Sequence, residues 1–149
     1  VCKSFKKAAE NKGLKFEVEN LTNNIIYLCD SYSTKQIIHE LLHNAVKFTP
    51  KGKIKVVARN SGNNSFSVSI NDTGIGMSQN FLQKSYKLFL QEEDSYTREY
   101  EGLGLGLTLV KEYCKLNKIE ISVESQKKLG TQATLLFNNQ NLRLQEALN

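Results

Sequence analysis

Short strands separated by tight turns constrain this fold more than any other feature of the sequence. Residues 54–58 and 66–70 have the β-branched and aromatic composition of strands and flank the turn-forming run NSGNN. Residues 119–123 and 133–137 repeat the arrangement around a turn at Gly130. Strands joined by such short connections run antiparallel, because a parallel pair needs a long crossover. The sequence therefore predicts a sheet that is mixed and mostly antiparallel.

The remaining segments show the periodicities of two more strands and of helices. Residues 14–18 and 25–29 are predicted as strands. Ser33 and Gln36 resemble a capping box, which predicts that a long helix opens near Ser33 and runs to about Phe48. The other predicted helices cover residues 3–12, 79–89 and 107–116. With about three helices packed on one face of the sheet, we predict an α/β fold, a two-layer α/β sandwich.

The composition excludes several classes of protein. The 149 residues are 40% hydrophobic and 23% charged, as expected for one globular domain. No apolar run is long enough to span a membrane and no signal segment is present, so a cytoplasmic domain without membrane contact is expected. The net charge of +5 comes from scattered lysines, which argues against a nucleic-acid surface. The chain begins at Val1 and opens directly into a helix, which suggests a domain from a longer protein.

Three polar residues of the long helix recur on one side of it. Glu40, Asn44 and Lys47 are spaced at i, i+4 and i+7, on the side opposite the apolar face. A carboxylate, an amide and an ammonium in this order can orient water, coordinate a hard cation and contact phosphate. The pattern by itself also fits a solvated polar face. His39 and His43 lie nearby without the partner residues that a metal site needs.

The stretch NDTGIGM places a carboxylate at the end of a predicted strand. The alternation of residues 66–70 carries the apolar face on to Asp72. A carboxylate on that face needs a hydrogen-bond donor, and the exocyclic amino group of a purine can supply one. Gly74 and Gly76 allow the backbone to pass close to a flat ring. The alternative is an Asx turn, in which Asp72 bonds only to its own backbone.

The stretch EGLGLGL contains glycine at every second position. Gly102, Gly104 and Gly106 would leave a strand without side chains on one face, so a loop that enters a helix and faces an anion is predicted instead. A mobile surface loop without a ligand is the alternative. Residues 90–101 have few apolar anchors and are also predicted to be mobile.

Four blocks of the sequence together resemble a known family. HELLHNAVKFTPKGKI (39–54), DTGIGM (72–77), LFLQEEDSYTREYEGLGLGL (88–107) and GTQATLLF (130–137) resemble the N, G1, F-plus-G2 and G3 boxes of the ATP-binding domain of sensor histidine kinases. The resemblance covers nearly the whole chain, and the boxes occur in the family's order. It implies the Bergerat fold over residues 1–137, with 138–149 as a polar tail or the start of a linker. It also implies ATP and Mg²⁺ as cofactors.

The resemblance implies a role for each matching residue. Asn44 would ligate the Mg²⁺ that bridges the ATP phosphates, and Lys47 would contact phosphate. Asp72 would accept a hydrogen bond from the adenine amino group. Gly76 would allow close approach to the base, and Thr131 would support the Asp72 end of the site.

The remaining implied roles belong to the lid over the nucleotide. Gly102, Gly104 and Gly106 would form its hinge and its phosphate-facing surface. Phe89 would pack beneath the lid. Arg98 lies within the lid, and its charge and position suggest a contact with the γ-phosphate.

The implied activity is transfer of the ATP γ-phosphoryl group to a histidine on a separate dimerisation domain. A response regulator would act downstream, the parent protein would be a homodimer with or without a membrane anchor, and the isolated domain would be a monomer. The matching family position is often Asn, whereas this chain has Glu40, the residue that hydrolytic relatives use to activate water. ATP hydrolysis through Glu40 and an ATP-sensing module without transfer activity are therefore alternatives. A topoisomerase-type clamp and an anti-sigma serine kinase fit less well.

Overall fold

The computed structural model describes residues 1–22, 27–62, 65–88 and 104–138. These residues form four helices and five strands. In chain order they are α1 (Cys2–Asn11), β1 (Lys15–Leu21), α2 (Ser31–Phe48), β2 (Lys53–Asn60), β3 (Phe66–Asp72), α3 (Gln79–Leu88), α4 (Gly104–Leu116), β4 (Ile119–Gln126) and β5 (Gly130–Phe137).

The five strands form one sheet in the order β1-β2-β3-β5-β4. Strands β1 and β2 are parallel, since α2 crosses over between them, and the other three pairs are antiparallel. The predicted sheet, mixed and mostly antiparallel, is confirmed.

One face of the sheet carries the hydrophobic core. The core residues of α1, α2 and α4 pack there against alternate residues of the strands. Ile37, Leu42, Ile54, Val110 and Leu135 have no solvent exposure at all. The predicted two-layer α/β sandwich with helices on one face is therefore confirmed. No helix among the described residues is both long enough and apolar enough to cross a membrane.

The predicted start of the long helix is wrong by a few residues. Helix α2 begins at Ser31, and its N-cap is Asp30, whose carboxylate accepts a hydrogen bond of 2.7 Å from the Ser33 backbone N–H. Ser33 is thus inside the first turn, and its hydroxyl donates to the same carboxylate. Asp30 is itself held by the side chain of Asn117, which accepts from its backbone N–H at 2.9 Å. A contact from Asn117, in the turn that follows α4, therefore decides between two possible caps.

Two other local predictions differ from the structure. Residues 27–29 of the predicted strand 25–29 do not form a strand, and residues 25 and 26 lie outside the described residues. The alternation of Leu14, Phe16 and Val18 with charged residues predicts Val18 on the buried face, but Val18, on the edge strand β1, is 54% exposed. Residues 90–101 and 139–149 also lie outside the described residues.

Candidate functional site

The helix-facing side of the sheet changes from apolar to polar at one end. The cross-strand partners in the last row are Ile54, Asp72, Thr131 and Ser125. The next row along consists of Val56, Ile70, Ala133 and Val123. Three polar side chains thus lie side by side on a face that is otherwise core, where polar atoms need partners. We refer to Asp72, Thr131 and Ser125 as the polar row.

A cleft opens between the polar row and helix α2. Its walls include the apolar side chains of Leu41, Phe48, Ile75, Leu107 and Val123. Its polar lining comes from Asn44, Asp72 and Thr131, together with the backbone of Gly76. An apolar slot with a few convergent polar groups is typical of a small-molecule site. The predicted site residues Asn44, Asp72, Gly76 and Thr131 are thus brought together, whereas Glu40, Lys47 and Gly74 do not line the cleft.

The carboxylate of Asp72 is both fixed and partly desolvated. One oxygen, Oδ1, accepts a hydrogen bond of 2.8 Å from the Gly74 backbone N–H. Burial raises the pKa of Asp72 above its ordinary value, and the amides of Gly74 and Thr131 and the hydroxyl of Thr49 oppose that rise. The Asx turn that we considered as an alternative is therefore present. It coexists with exposure of the same carboxyl group to the cleft.

Thr49 is a feature of the site that the sequence did not indicate. Its side chain is fully buried, and within the described part of the chain its hydroxyl has no hydrogen-bond partner of normal geometry. The hydroxyl nevertheless lies close enough to Asp72 to lower the pKa of that carboxyl. Thr49 therefore adds a polar group beneath the carboxylate.

The glycines of DTGIGM are required by contacts inside the protein. Gly76 has a φ of +61°, and a Cβ there would collide with the backbone carbonyl of Gln126. A Cβ on Gly74 would collide with the carbonyl of Phe48, which also accepts a hydrogen bond of 3.1 Å from the Ile75 N–H. The loop is thus wedged between the end of α2 and the β4–β5 turn. The side of Gly76 that lacks a Cβ faces the protein, while its backbone lines the cleft.

Ser125 joins three segments around the polar row, and sequence analysis missed it. Its hydroxyl accepts from the Met77 N–H at 2.8 Å, donates to the Gly130 carbonyl at 3.0 Å and lies 2.9 Å from the Thr131 hydroxyl. Gly130 has a φ of +108°, and a Cβ there would strike the backbone carbonyl of Asp72. The only signal in the sequence was the position of Ser125 across the turn from Thr131.

The polar residues of α2 do not act as one face. Asn44 is partly buried and lines the cleft, whereas Lys47 is exposed, with its Nζ 5.2 Å from the centre of the Phe48 ring. Glu40 is directed at α4, where one carboxylate oxygen lies 2.9 Å from the position that a Cβ on Gly106 would take. The prediction that all three lie opposite the apolar face is therefore wrong for Asn44, which lies at the border of that face next to buried Leu41.

The predicted lid is described only where it enters helix α4. Gly104 and Gly106 were predicted as loop, but they belong to the first turn of that helix. Gly102, Arg98 and Phe89 lie outside the described residues.

Within the described part of the chain, no metal site surrounds the two histidines of α2. His39 packs edge-on against the Phe5 ring at 5.0 Å and stacks with His43 at 6.3 Å. No group of three His, Cys, Asp or Glu side chains in the described ranges could hold a metal ion.

Comparison with known proteins assigns the family. The model of the family described as "Histidine kinase-, DNA gyrase B-, and HSP90-like ATPase" matches residues 29–141. The chain belongs to this ATPase family. Its members' ATP-binding domain therefore accounts for the cleft and for the boxes identified in the sequence.

The relatives place the chain within the histidine kinase branch of the family. It is 39% identical over 133 residues to the autoinducer 2 sensor kinase/phosphatase LuxQ of Vibrio parahaemolyticus, which covers 85% of this chain and 16% of LuxQ. It is 36% identical over 144 residues to hybrid signal transduction histidine kinase L of Dictyostelium discoideum, covering 92% of this chain and 8% of that protein. The chain is thus a histidine kinase ATP-binding domain that spans less than a fifth of either relative.

Solved structures share the fold. The catalytic domain of histidine kinase ThkA superposes with a TM-score of 0.72 at 20% identity, covering 90% of this chain and 84% of that domain. Full-length ShkA, solved in complex with AMPPNP, superposes with a TM-score of 0.74 at 21% identity, covering 91% of this chain and 28% of ShkA. At these identities the likeness concerns the fold alone.

Proposed function

We propose that this domain binds Mg-ATP in the cleft and delivers the γ-phosphoryl group to a histidine on a separate dimerisation domain. The observation that carries the proposal is the Asp72 carboxylate, which is held by the Gly74 N–H at the polar end of an apolar slot. Such a slot can take a flat base, and such a carboxylate can accept from its amino group. ATP binding by the family supports this assignment.

The cleft divides into two ends under this proposal. The base end consists of Asp72, Thr131 and the backbone of Gly76, with Gly74 holding Asp72 from behind. The phosphate end begins at Asn44, which lines the cleft, and continues outside it with Lys47 on α2 and the start of α4 at Gly104 and Gly106. The N-terminus of a helix offers free N–H groups to an anion. We propose that Gly102 and Arg98 complete the phosphate end.

Asn44 fits the Mg²⁺ that we propose with the nucleotide. Its amide oxygen is a hard ligand at the edge of the cleft. Mg²⁺ in phosphate sites is commonly held by one or two protein oxygens, with phosphates and water as the other ligands. A single amide oxygen is therefore sufficient, and the bound ion would neutralise the charge of the phosphates.

The residues of this chain then act mainly by position and charge. Asp72 and Thr131 orient the base, so that the triphosphate extends along α2 towards its polar residues. Lys47 is exposed and can swing onto a phosphate oxygen without losing a partner in the described part of the chain other than its contact with the Phe48 ring. Phosphoryl transfer depends on such positioning and charge neutralisation.

Direct hydrolysis through Glu40 is a second candidate. The Glu40 carboxylate lies against Gly106 in the first turn of α4, which is the proposed phosphate end. A carboxylate there can accept a proton from an attacking water. This candidate and histidine transfer share the ATP site and differ in the acceptor of the phosphoryl group.

We propose that the parent protein supplies the other components. These are the dimerisation domain with the acceptor histidine, a response regulator, and a homodimeric, cytoplasmic arrangement of the kinase part. Within this chain we propose residues 1–137 as the ATP-binding domain and 138–149 as a tail or linker.

The proposal is tested by mixing this chain with the dimerisation domain of its parent and γ-labelled ATP. We expect acid-labile phosphate on the dimerisation domain, and we expect Asn44→Ala to abolish it while His43→Ala, on the exposed side of α2, leaves it unchanged. Tight ATP binding without transfer would support the sensing module instead. Free phosphate that appears without the dimerisation domain and disappears with Glu40→Gln would support hydrolysis.

A further inference from the structure

The hydroxyl of Ser125 occupies a position where its one proton has a defined use. The side chain is more than nine-tenths buried and has three neighbours, the Met77 N–H, the Gly130 carbonyl and the Thr131 hydroxyl. A serine hydroxyl can donate once and accept twice. The Met77 N–H can only donate and the Gly130 carbonyl can only accept. The Ser125 hydroxyl therefore donates a hydrogen bond to the Gly130 carbonyl and accepts one from the Met77 N–H.

This pattern determines the direction of the third bond. Because the one hydrogen of the Ser125 hydroxyl is used in the bond to the Gly130 carbonyl, Ser125 can only accept from Thr131. The Thr131 hydroxyl must therefore donate to Ser125. Consistent with this, no hydrogen bond joins the Thr131 hydroxyl to the Asp72 carboxylate within the described ranges, although the two residues are cross-strand partners. The lone pairs of Thr131 are then left for the cleft that this residue lines.

We infer that Ser125 is a positioning residue that makes Thr131 a hydrogen-bond acceptor and thereby selects adenine at the base end. This rests on the proposed ATP site. The base end then presents two acceptors, the Asp72 carboxylate and the Thr131 oxygen. The amino group of adenine carries two hydrogens and can satisfy acceptors, whereas the carbonyl oxygen of hypoxanthine or guanine at the same ring position can donate none.

A residue that sets the direction of a hydrogen bond differs in its effect on nucleotide affinity from one that only supports the fold. Loss of support would weaken binding of every nucleotide by a similar factor. Loss of the Ser125 hydroxyl would remove the acceptor of the Thr131 hydroxyl, which could then donate a hydrogen bond into the cleft, to a carbonyl group of a base. Inosine triphosphate (ITP) differs from ATP in the group at that ring position and in the hydrogen on the neighbouring N1. The ratio of the affinities for ATP and ITP therefore reports on the hydrogen-bond polarity of the base end, whereas loss of support would lower both affinities together.

The experiment measures the Kd of the 149-residue chain for ATP and for ITP by calorimetry or fluorescence competition. We expect the wild-type chain to prefer ATP, and Ser125→Ala to reduce the ATP-to-ITP preference by about 3- to 10-fold, the range of one neutral hydrogen bond. Ser125→Thr keeps the hydroxyl and should hold the preference within about twofold of wild type. Should Ser125→Ala fold poorly, Ser125→Cys keeps the volume with a weaker acceptor and should lower the preference in the same direction.

Two further variants provide the controls. Gln79→Ala removes the 3.1 Å bond from the Gln79 side chain to the Ser125 carbonyl and should leave the preference unchanged. Adding Ser125→Ala to Thr131→Val should reduce the preference no further than Thr131→Val alone. Equal losses for ATP and ITP in Ser125→Ala, or effects of the two substitutions that multiply, would overturn the inference. A wild-type chain without preference for ATP would overturn the adenine assignment as well.

Discussion

The base end and the phosphate end of the cleft are held in different ways. At the base end Asp72 accepts from Gly74, Thr131 is bonded to Ser125, and Ser125 is bonded to Met77 and Gly130. At the phosphate end, within the described part of the chain, Asn44 makes no side-chain hydrogen bond and Lys47 contacts only the Phe48 ring. The base end is therefore built before any ligand arrives.

This difference has an energetic meaning. Side chains that are already fixed lose little rotamer freedom on binding, whereas an exposed lysine loses roughly 0.5–1.5 kcal/mol when it is immobilised. The base end can therefore supply selectivity at little entropic cost, and the phosphate end responds to the charge of the ligand. Substitutions at the two ends should therefore change different properties. The largest expected effect is a loss of folding stability, and the smallest is a small decrease in the melting temperature.

The largest effect is expected from Gly130→Ala, because the backbone of Gly130 packs closely against that of Asp72 at the base end. An alanine would hold a φ of +108° and place its Cβ against the Asp72 carbonyl. We expect a loss of about 2–4 kcal/mol of stability, which lowers the melting temperature by roughly 5–15 °C. Thermal denaturation followed by circular dichroism measures it.

Gly13→Ala is the matched control for this substitution. Gly13 also has a positive φ, +76°, but a Cβ there would meet no atom within 4 Å. It should lose only the backbone term of about 1–2 kcal/mol. If the two variants melt together, the contact between Gly130 and Asp72 does not frame the site.

Asp72→Asn should separate binding from stability. Asparagine keeps an oxygen for the Gly74 N–H but loses the charge that accepts from the base amino group. We expect ATP affinity to fall about 10- to 150-fold, which corresponds to about 1.5–3 kcal/mol for a bond to a charged group. Calorimetric titration with ATP measures this, and a change of less than threefold would show that Asp72 does not bind the base.

The same variant should be at least as stable as the wild-type chain without ligand at neutral pH. Burial raises the folded pKa of Asp72 above 3.8, so the folded chain holds this proton more tightly than the unfolded chain. The contribution of Asp72 to stability is thus full below about 3.8 and is lost as the pH rises through the folded pKa. The advantage of Asp72→Asn should therefore shrink between pH 7 and pH 4. An Asp72→Asn chain that melts lower at pH 7 would contradict this.

The fold was predictable because its signals are local. The period of two in β3 correctly placed Asp72 on the same face as Ile70, and short turns correctly predicted antiparallel pairs. Ser125 was not predictable in this way, since it matters only through its register with Thr131 and its contact with Met77, 48 positions away. Similarly, Asp30 and Ser33 are both acceptable caps, and Asn117 decides between them.

The glycines show a second limit of sequence reasoning. A glycine in DTGIGM indicates that a side chain is excluded, but it does not indicate on which side the excluded atom would lie. Gly76 excludes a Cβ because of the Gln126 carbonyl, so a close approach by a ligand is not needed to explain it. Only the packed structure distinguishes these two causes.

Asn44→Ala tests the phosphate end with a smaller effect. If Asn44 ligates Mg²⁺, its loss should weaken Mg-ATP binding by about tenfold, or about 1.4 kcal/mol. Without Mg²⁺ the variant and the wild-type chain should bind ATP within about twofold of each other, because Asn44 then has no ion to coordinate. Adenosine binding should be unchanged in both. Titrations with and without EDTA measure this, and an equal loss under both conditions would assign Asn44 to direct contact with the nucleotide.

Lys12→Ala gives the smallest expected effect and tests whether the two ends are coupled through α2. The Lys12 ammonium donates to the carbonyls of Val46 and Lys47 at 2.6 and 3.1 Å, at the end of the helix that carries Asn44 and contacts the loop after Asp72. A cation at a helix C-terminus contributes about 0.3–1 kcal/mol, so the melting temperature should fall by roughly 1–4 °C. Lys7→Ala, an exposed change within helix α1, whose C-cap is Lys12, should leave it unchanged. Because the base end has its own hydrogen bonds, ATP affinity should stay within about twofold in Lys12→Ala. A larger loss of affinity would show that the end of α2, rather than the polar row, holds Asp72 in place.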